Sequence, residues 1–238
     1  MKRITGEKTI EKLLRVAIAP LGHTMYVWGG GWNEADDAAG EEARSIGVSS
    51  RWAEFAEQQD KDYDYEKTRY QIHDGLDCSG YVGWVIYNVF EQTNGKTGYV
   101  MSAEKMAYEY AQKGWGEYIS AEEVKDWKSG DIMSMKGHVW IVVGMCPDGS
   151  VVLLHSSPPG VILCGTAEPG KISQAKLLAE KYMKDYFPQW YEKYPTYERS
   201  SSYLKESAQM RWNSQTMSDA EAWDGKSAKE VLEWLFAP

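Results

Sequence analysis

Histidine, cysteine and phenylalanine are scarce in this chain: four, three and four residues among 238. Cys78, Cys146 and Cys164 show neither the paired spacing of a metal site nor a dense disulfide framework. An odd, low cysteine count fits a reducing compartment. A chain of this length buries about 70% of its unfolded surface, so it needs neither metal nor disulfide for stability, and no cofactor is expected. Positive charge is also short. There are 26 Lys and Arg against 35 Asp and Glu, a net charge of −9. That balance argues against the basic footprint of a nucleic-acid binder and against adhesion to an anionic membrane surface. Long apolar runs are missing too. Ile10 to Ala19 is interrupted by Glu11, Lys12 and Arg15, so neither a transmembrane segment nor a signal peptide is expected. The sequence then points to the cytoplasm, or to export if a leader has been removed. It contains no internal repeat and does not indicate an oligomeric state.

What is abundant is Trp and Tyr, 11 and 16 residues. Both carry a polar handle on an apolar body and suit half-buried, wet surfaces. They suit a groove for sugar or peptide, and equally a core and its rim.

Periodicity predicts a helix over Glu7–Ala19 with Ile10, Leu13, Leu14 and Ala17 on one face, stopped by Pro20 and Gly22. The run Tyr26-Val27-Trp28-Gly29-Gly30-Gly31-Trp32 follows, whose glycines allow a free turn or a close backbone approach. The polar stretch up to Leu76 reads as an insertion, residues 31–76, over or beside a site, with a helix near Ser50–Gln59. A helix over Cys78–Glu91 ends at an Asn94-Gly95-Lys96 turn. Another runs from Ser102 to Lys113. Asp131–Met135, Gly137–Met145, Ser150–Ser156 and Val161–Gly165 read as strands of an antiparallel sheet, with a hairpin at Pro147-Asp148-Gly149. Ser173–Tyr194 is helical, with a break at Pro188. Glu198–Met217 reads as irregular, and Ser227 caps a last helix, Ala228–Phe236. The expected class is α+β, with N-terminal helices and a cysteine helix packed on an antiparallel sheet. The 238 residues are expected to form a single catalytic domain, with residues 171–238 as a helical C-terminal extension.

The chemistry centres on Leu76-Asp77-Cys78-Ser79-Gly80-Tyr81-Val82. Asp77 is a natural N-cap, so Cys78 falls at the first helical position. There the unpaired N–H groups and the helix dipole favour a thiolate, the nucleophilic form. A cysteine nucleophile needs a base. His138 starts one expected strand and His155 ends the next, so the two can be neighbours if the register agrees. One would take the proton and the other orient it. A free cysteine can also be merely a small buried hydrophobe, and a strand-end histidine merely a polar surface residue. No further carboxylate or cysteine stands at ligand spacing, so no metal is expected. His23 and His73 have loop-like neighbours.

Taken in order, Tyr26-Val27-Trp28-Gly29-Gly30, Asp77-Cys78-Ser79-Gly80-Tyr81-Val82, Gly130-Asp131-Ile132, Gly137-His138-Val139 and Leu154-His155 resemble the NlpC (p-sixty) family of cysteine endopeptidases. The resemblance covers most of Tyr26–Gly165. It implies a papain-like core with Cys78 as nucleophile, His138 as general base and His155 as the residue that orients the base. It also implies that Tyr26 lies beside the nucleophile and that Asp77 and Ser79 help bind a peptide amine, with Trp28 in the same substrate-binding motif. The implied substrate is a peptidoglycan stem peptide, cut near γ-D-glutamyl and a diamino acid. Three features depart from the family: the long 31–76 segment, the aromatic region after Gly165 and the lack of a wall-binding repeat. The readings set beside hydrolysis are acyl transfer or transpeptidation on the same fold, and a non-catalytic, aromatic-rich binding module.

Overall fold

The computed structural model describes residues 7–33, 38–91 and 97–237. The expected Asn94-Gly95-Lys96 turn lies outside them. In chain order the elements are α1 (Ile10–Ile18), β1 (Met25–Tyr26), β2 (Trp32–Asn33), β3 (Ala38–Ala39), α2 (Ser50–Glu57), β4 (Gly75–Leu76), α3 (Cys78–Phe90), α4 (Met106–Gln112), β5 (Gly116–Ile119), β6 (Ile132–Met135), β7 (His138–Met145), β8 (Val151–Ser157), β9 (Gly160–Ala167), α5 (Gln174–Tyr186), α6 (Pro188–Lys193), β10 (Glu198–Ser200), α7 (Ser202–Glu206), β11 (Ala208–Trp212) and α8 (Ala228–Leu235).

The fold is mixed α+β, with helices packed on a curled, mostly antiparallel sheet. The strands run in the order β4-β1-β9-β8-β7-β6-β11-β5, with β10 added to the far end of β9. Among the described strands, only the short β1–β4 and β9–β10 pairs are parallel. β7, β8 and β9 are rich in Val, Ile and Leu and almost wholly buried. Apolar residues fill both faces of these strands, so each face must be covered. Gly165 and Gly144 show where the cover comes closest: a Cβ at either would run into the backbone of Ala175 on α5 or Ala228 on α8.

α3 is the central helix. Val82, Val85, Ile86 and Val89 are buried as expected, and Tyr81, Trp84 and Tyr87 on its other sides are buried too. A helix that is apolar all round belongs in a core. Its C-terminal carbonyl at Val89 accepts a 2.9 Å hydrogen bond from the buried Lys12 ammonium of α1. Its N-terminus is fitted to the glycine run by close backbone contact. A Cβ on Gly80 would collide with the Gly30 carbonyl, and the Asp77 N–H donates to that same carbonyl at 2.9 Å. The chain makes both uses of glycine here: close approach at Gly30 and Gly80, and a turn through left-handed backbone at Gly29 and Gly31, with φ of 84° and 86°.

Several expectations need correction. Among its described residues, the 31–76 segment contains one α-helix, α2, together with 3-10 turns, the antiparallel pair β2–β3 and strand β4. Residues 171–238 are not a purely helical extension, and Glu198–Met217 is not irregular. β10 pairs with β9, and β11 is inserted between β6 and β5. β10 is only three residues long and polar, whereas the five residues of β11, Ala208-Gln209-Met210-Arg211-Trp212, alternate apolar and polar within a polar stretch. They form because the open edges of β9 and β6 supply ladder partners. β11 also buries a charge cluster: Asp131 is almost wholly buried and accepts from Arg211 Nη2 and Gln209 Nε2, both at 2.8 Å.

Candidate active site

β7 and β8 pair from Met145–Val151 as far as Ile141–Leu154, and there the ladder ends. Beyond that point the Gly137 carbonyl and the Val139 N–H share one edge of β7, because such groups two residues apart along a strand point the same way. The sulfur of Cys78 occupies this place. It lies 3.9 Å from the Gly137 carbonyl oxygen and takes a hydrogen bond from the Val139 N–H. The nucleophile candidate is thus wedged against the two peptide units that flank His138.

The same register sets His155 opposite Trp140 and diagonal to His138. The two imidazoles meet edge to face, and His138 Nε2 lies 2.8 Å from His155 Nδ1. The condition the sequence left open is therefore met. His155 is fully buried, and its Nε2 has no hydrogen-bond partner. Cys164, on β9, lies 3.5 Å from His155. A Cys–His pair of this kind is consistent with thiol-enzyme chemistry.

The electrostatics differ from the expectation of a resting thiolate. Burial pushes the Cys78 thiol up to about 12, and the neighbouring Asp77 carboxylate adds to this. The N–H groups of Val139, Ser79 and Cys78 act in the opposite direction but do not prevail. Burial lowers His138 to about 3, helped by the charge of Arg199. His155 is driven well below its ordinary value by burial, Arg199 and His138. Cys164 is raised to about 11, again by burial. The resting site therefore holds neutral thiols beside neutral imidazoles.

Asp77 caps α3: its carboxylate accepts from the Gly80 N–H at 2.7 Å and from Ser79 Oγ at 2.8 Å. The Gly29 and Ser79 N–H groups add to this set, and burial nonetheless raises the carboxyl above its ordinary value. Tyr26 is buried, and its phenol feels both Cys78 and Asp77, which with burial hold it strongly protonated. Residues of the 31–76 segment pack directly on it. The Tyr65 ring meets Tyr26 edge-on at 5.5 Å, and Tyr63 Oη donates to the Tyr26 carbonyl at 2.7 Å. Trp28 is 43% exposed, with the Arg69 guanidinium 4.7 Å over its ring. It stands on the rim rather than at the sulfur. His23 and His73 are engaged elsewhere, with Phe187 and Glu42 respectively.

Two participants escaped the sequence reading. Tyr203, on α7, packs its ring 5.5 Å from His138 and 6.2 Å from His155. Its hydroxyl bonds Arg199, and burial holds the phenol protonated. No spacing in the sequence linked residues 199 and 203 to the site. β10 and the Trp140–Ser207 hydrogen bond of 3.1 Å bring them there.

No family model matches this chain, and neither a curated protein nor a solved structure matches it. Among the described residues, no helix is long and apolar enough to cross a membrane, and no group of three His, Cys, Asp or Glu is placed to hold a metal ion.

Proposed function

We propose that the protein is a cysteine peptidase or amidohydrolase of NlpC type on a papain-like fold, cleaving peptide bonds of peptidoglycan stem peptides through an acyl-enzyme on Cys78. The sequence motifs supply the substrate class. The observation that carries the chemistry is the placement of the Cys78 sulfur against the peptide units flanking His138, whose far ring nitrogen is bonded to His155.

A tautomer follows from the roles. His138 acts as a base through Nδ1, so its Nε2–H donates to His155 Nδ1, and His155 carries its own proton on the buried Nε2. Substrate entry brings the scissile carbonyl to Sγ. Proton transfer to Nδ1 accompanies attack, because the thiol is not ionised beforehand. The N–H groups of the first turn of α3 face the sulfur and stabilise the oxyanion. The imidazolium protonates the leaving amine and leaves a thioester. Water then gives its proton to His138 and hydrolyses the thioester. Tyr26 and Asp77 shape the acyl side with Ser79, and Trp28 forms the rim. A peptide amine bound there shares the Asp77 carboxylate with its internal donors.

The 3.5 Å approach of Cys164 to His155 favours a second reading, in which Cys164 is the nucleophile. Its full burial in the middle of the sheet weighs against it. Incubation with defined muropeptides and mass analysis of the products decides between the two. Cleavage by the wild type and by Cys164→Ala, but not by a folded Cys78→Ala, is the expected result. Loss only in Cys164→Ala reverses the assignment, and no cleavage by the wild type ends the peptidase reading. The same assay with an added amine separates hydrolysis from acyl transfer.

A further inference from the structure

Arg199 is a half-buried guanidinium with no carboxylate of the described residues in ion-pair range. Its Nη1 donates to the carbonyl of its own neighbour Glu198 at 2.8 Å, and its other partner is the Tyr203 hydroxyl. Glu198, the nearest acid in sequence, is taken by Lys176 at 3.1 Å.

Its position is set by the sheet. Arg199 pairs with Thr166 on β9, and Thr166 lies two residues beyond Cys164. His155 pairs with Ile162. Side chains alternate faces along a strand, and paired residues share one. Ile162, Cys164, Thr166 and Arg199 therefore stand on the face that carries His155. Trp140, opposite His155, and His138, two residues before it, stand there too. Tyr203 completes the link, with its hydroxyl on Arg199 and its ring against both imidazoles.

We propose that Arg199 is a specificity-determining residue of this site, recognising a carboxylate carried by the acyl substrate close to the scissile amide. The assignment rests on Cys78 and His138 being the reacting groups. A guanidinium fork suits a carboxylate by geometry as well as by charge. Pairing has a second consequence: it neutralises the cation that, with burial, holds down the basicity of His138. A carboxylate-bearing substrate thereby improves the base that attacks it, and a neutral analogue does not. A γ-linked glutamyl residue satisfies the requirement, because its α-carboxylate is free beside the amide.

Two measurements test the assignment separately from the peptidase reading. The first compares alkylation of Cys78 by iodoacetate and by its neutral counterpart iodoacetamide, located by peptide mass mapping. Asp77 disfavours the anionic reagent in every variant, so the readout is the iodoacetate-to-iodoacetamide rate ratio in the wild type divided by that in Arg199→Gln. A quotient of about 3 to 10 is expected, with Arg199→Lys close to wild type. A quotient of one, or no labelling of Cys78 by either reagent in the folded protein, overturns the proposal. The second compares muropeptides with γ-D-glutamate and with its α-amide. The wild type is expected to favour the acid by about 10- to 100-fold in kcat/KM, and Arg199→Gln to lose the preference. Cleavage without that preference removes the role of Arg199 and leaves the peptidase reading intact. If neither peptide is cleaved while the alkylation quotient holds, the substrate is wrong and the carboxylate site stands.

Discussion

Two thiols approach the histidine pair from different surroundings: Cys78 lies against the peptide units that flank His138, and Cys164 lies 3.5 Å from His155. Cys78 sits where the β7–β8 ladder stops, at the first turn of a helix, with main-chain N–H groups directed at its sulfur. Cys164 sits inside an unbroken ladder, paired with Leu153 and covered on all sides. Burial raises both thiols, so proton affinity does not separate them. Access and oxyanion donors do. A sheet interior uses its N–H groups in the ladder, whereas a helix N-terminus leaves them unpaired. Proximity to a histidine is therefore a weak criterion for a nucleophile, and a break in secondary structure is a stronger one.

The largest effect that sharpens the contrast is on turnover. Cys78→Ala should lower kcat by about 10³-fold or more, while Cys164→Ala should stay within tenfold of wild type. Steady-state cleavage of a muropeptide measures both. His138→Ala comes next, with an expected loss of about 10²- to 10⁴-fold. His155→Asn, which keeps a polar partner for Nε2, should lose less. Equal losses at both positions would mean that the pair acts as one unit.

A smaller effect concerns the C-terminal strand that closes the sheet on the other side. Burial raises the carboxyl of Asp131 to about 6 even against Arg211, which bonds both its oxygens. Arg211→Ala strands that buried group and should cost about 3–5 kcal/mol in urea unfolding at pH 7.

The smallest is the acid dependence of stability. His138 and His155 are lowered on folding, so the unfolded state binds more protons below about pH 6.5, and folding weakens as pH falls. Asp131 is raised, so between about pH 6 and 3.8 the folded state binds its proton first and recovers part of the loss. Asp77, also raised by burial, gains as well, so the two carboxyls offset the two histidines in the lower part of the range and the fall is steepest near its upper end. His155→Asn removes one losing group and should flatten the curve. A steeper curve in that variant would contradict the buried, neutral pair.

Much of this was written locally. Asp77 before a cysteine and an apolar run specified a capped helix, and the cap is present at 2.7 Å. Four largely apolar runs with short turns specified the central strands to within a residue or two. The histidine pair was half legible: both residues stood on adjacent strands, but the pairing register decided whether they met. β10 and α7 were not legible, because a three-residue polar strand forms only when a sheet edge is already there to receive it, whereas β11 carried a five-residue apolar–polar alternation that its polar surroundings hid. The thiol's protonation state was misread for a related reason. The helix N-terminus is visible in the sequence, but the burial that outweighs it is not.

The order of residues alone settled which segments would be helix or strand in the core, because caps, turns and apolar periodicity act over a few positions. It also settled which side chains were chemically equipped to react. Folding in three dimensions decided which of them meet: that Cys78 enters the gap in the sheet, that Cys164 is sealed within it, and that Arg199 and Tyr203 arrive from more than forty residues downstream of the histidines. Pairing register, burial and the placement of an unmatched charge depend on contacts between distant segments, and no local pattern encodes them.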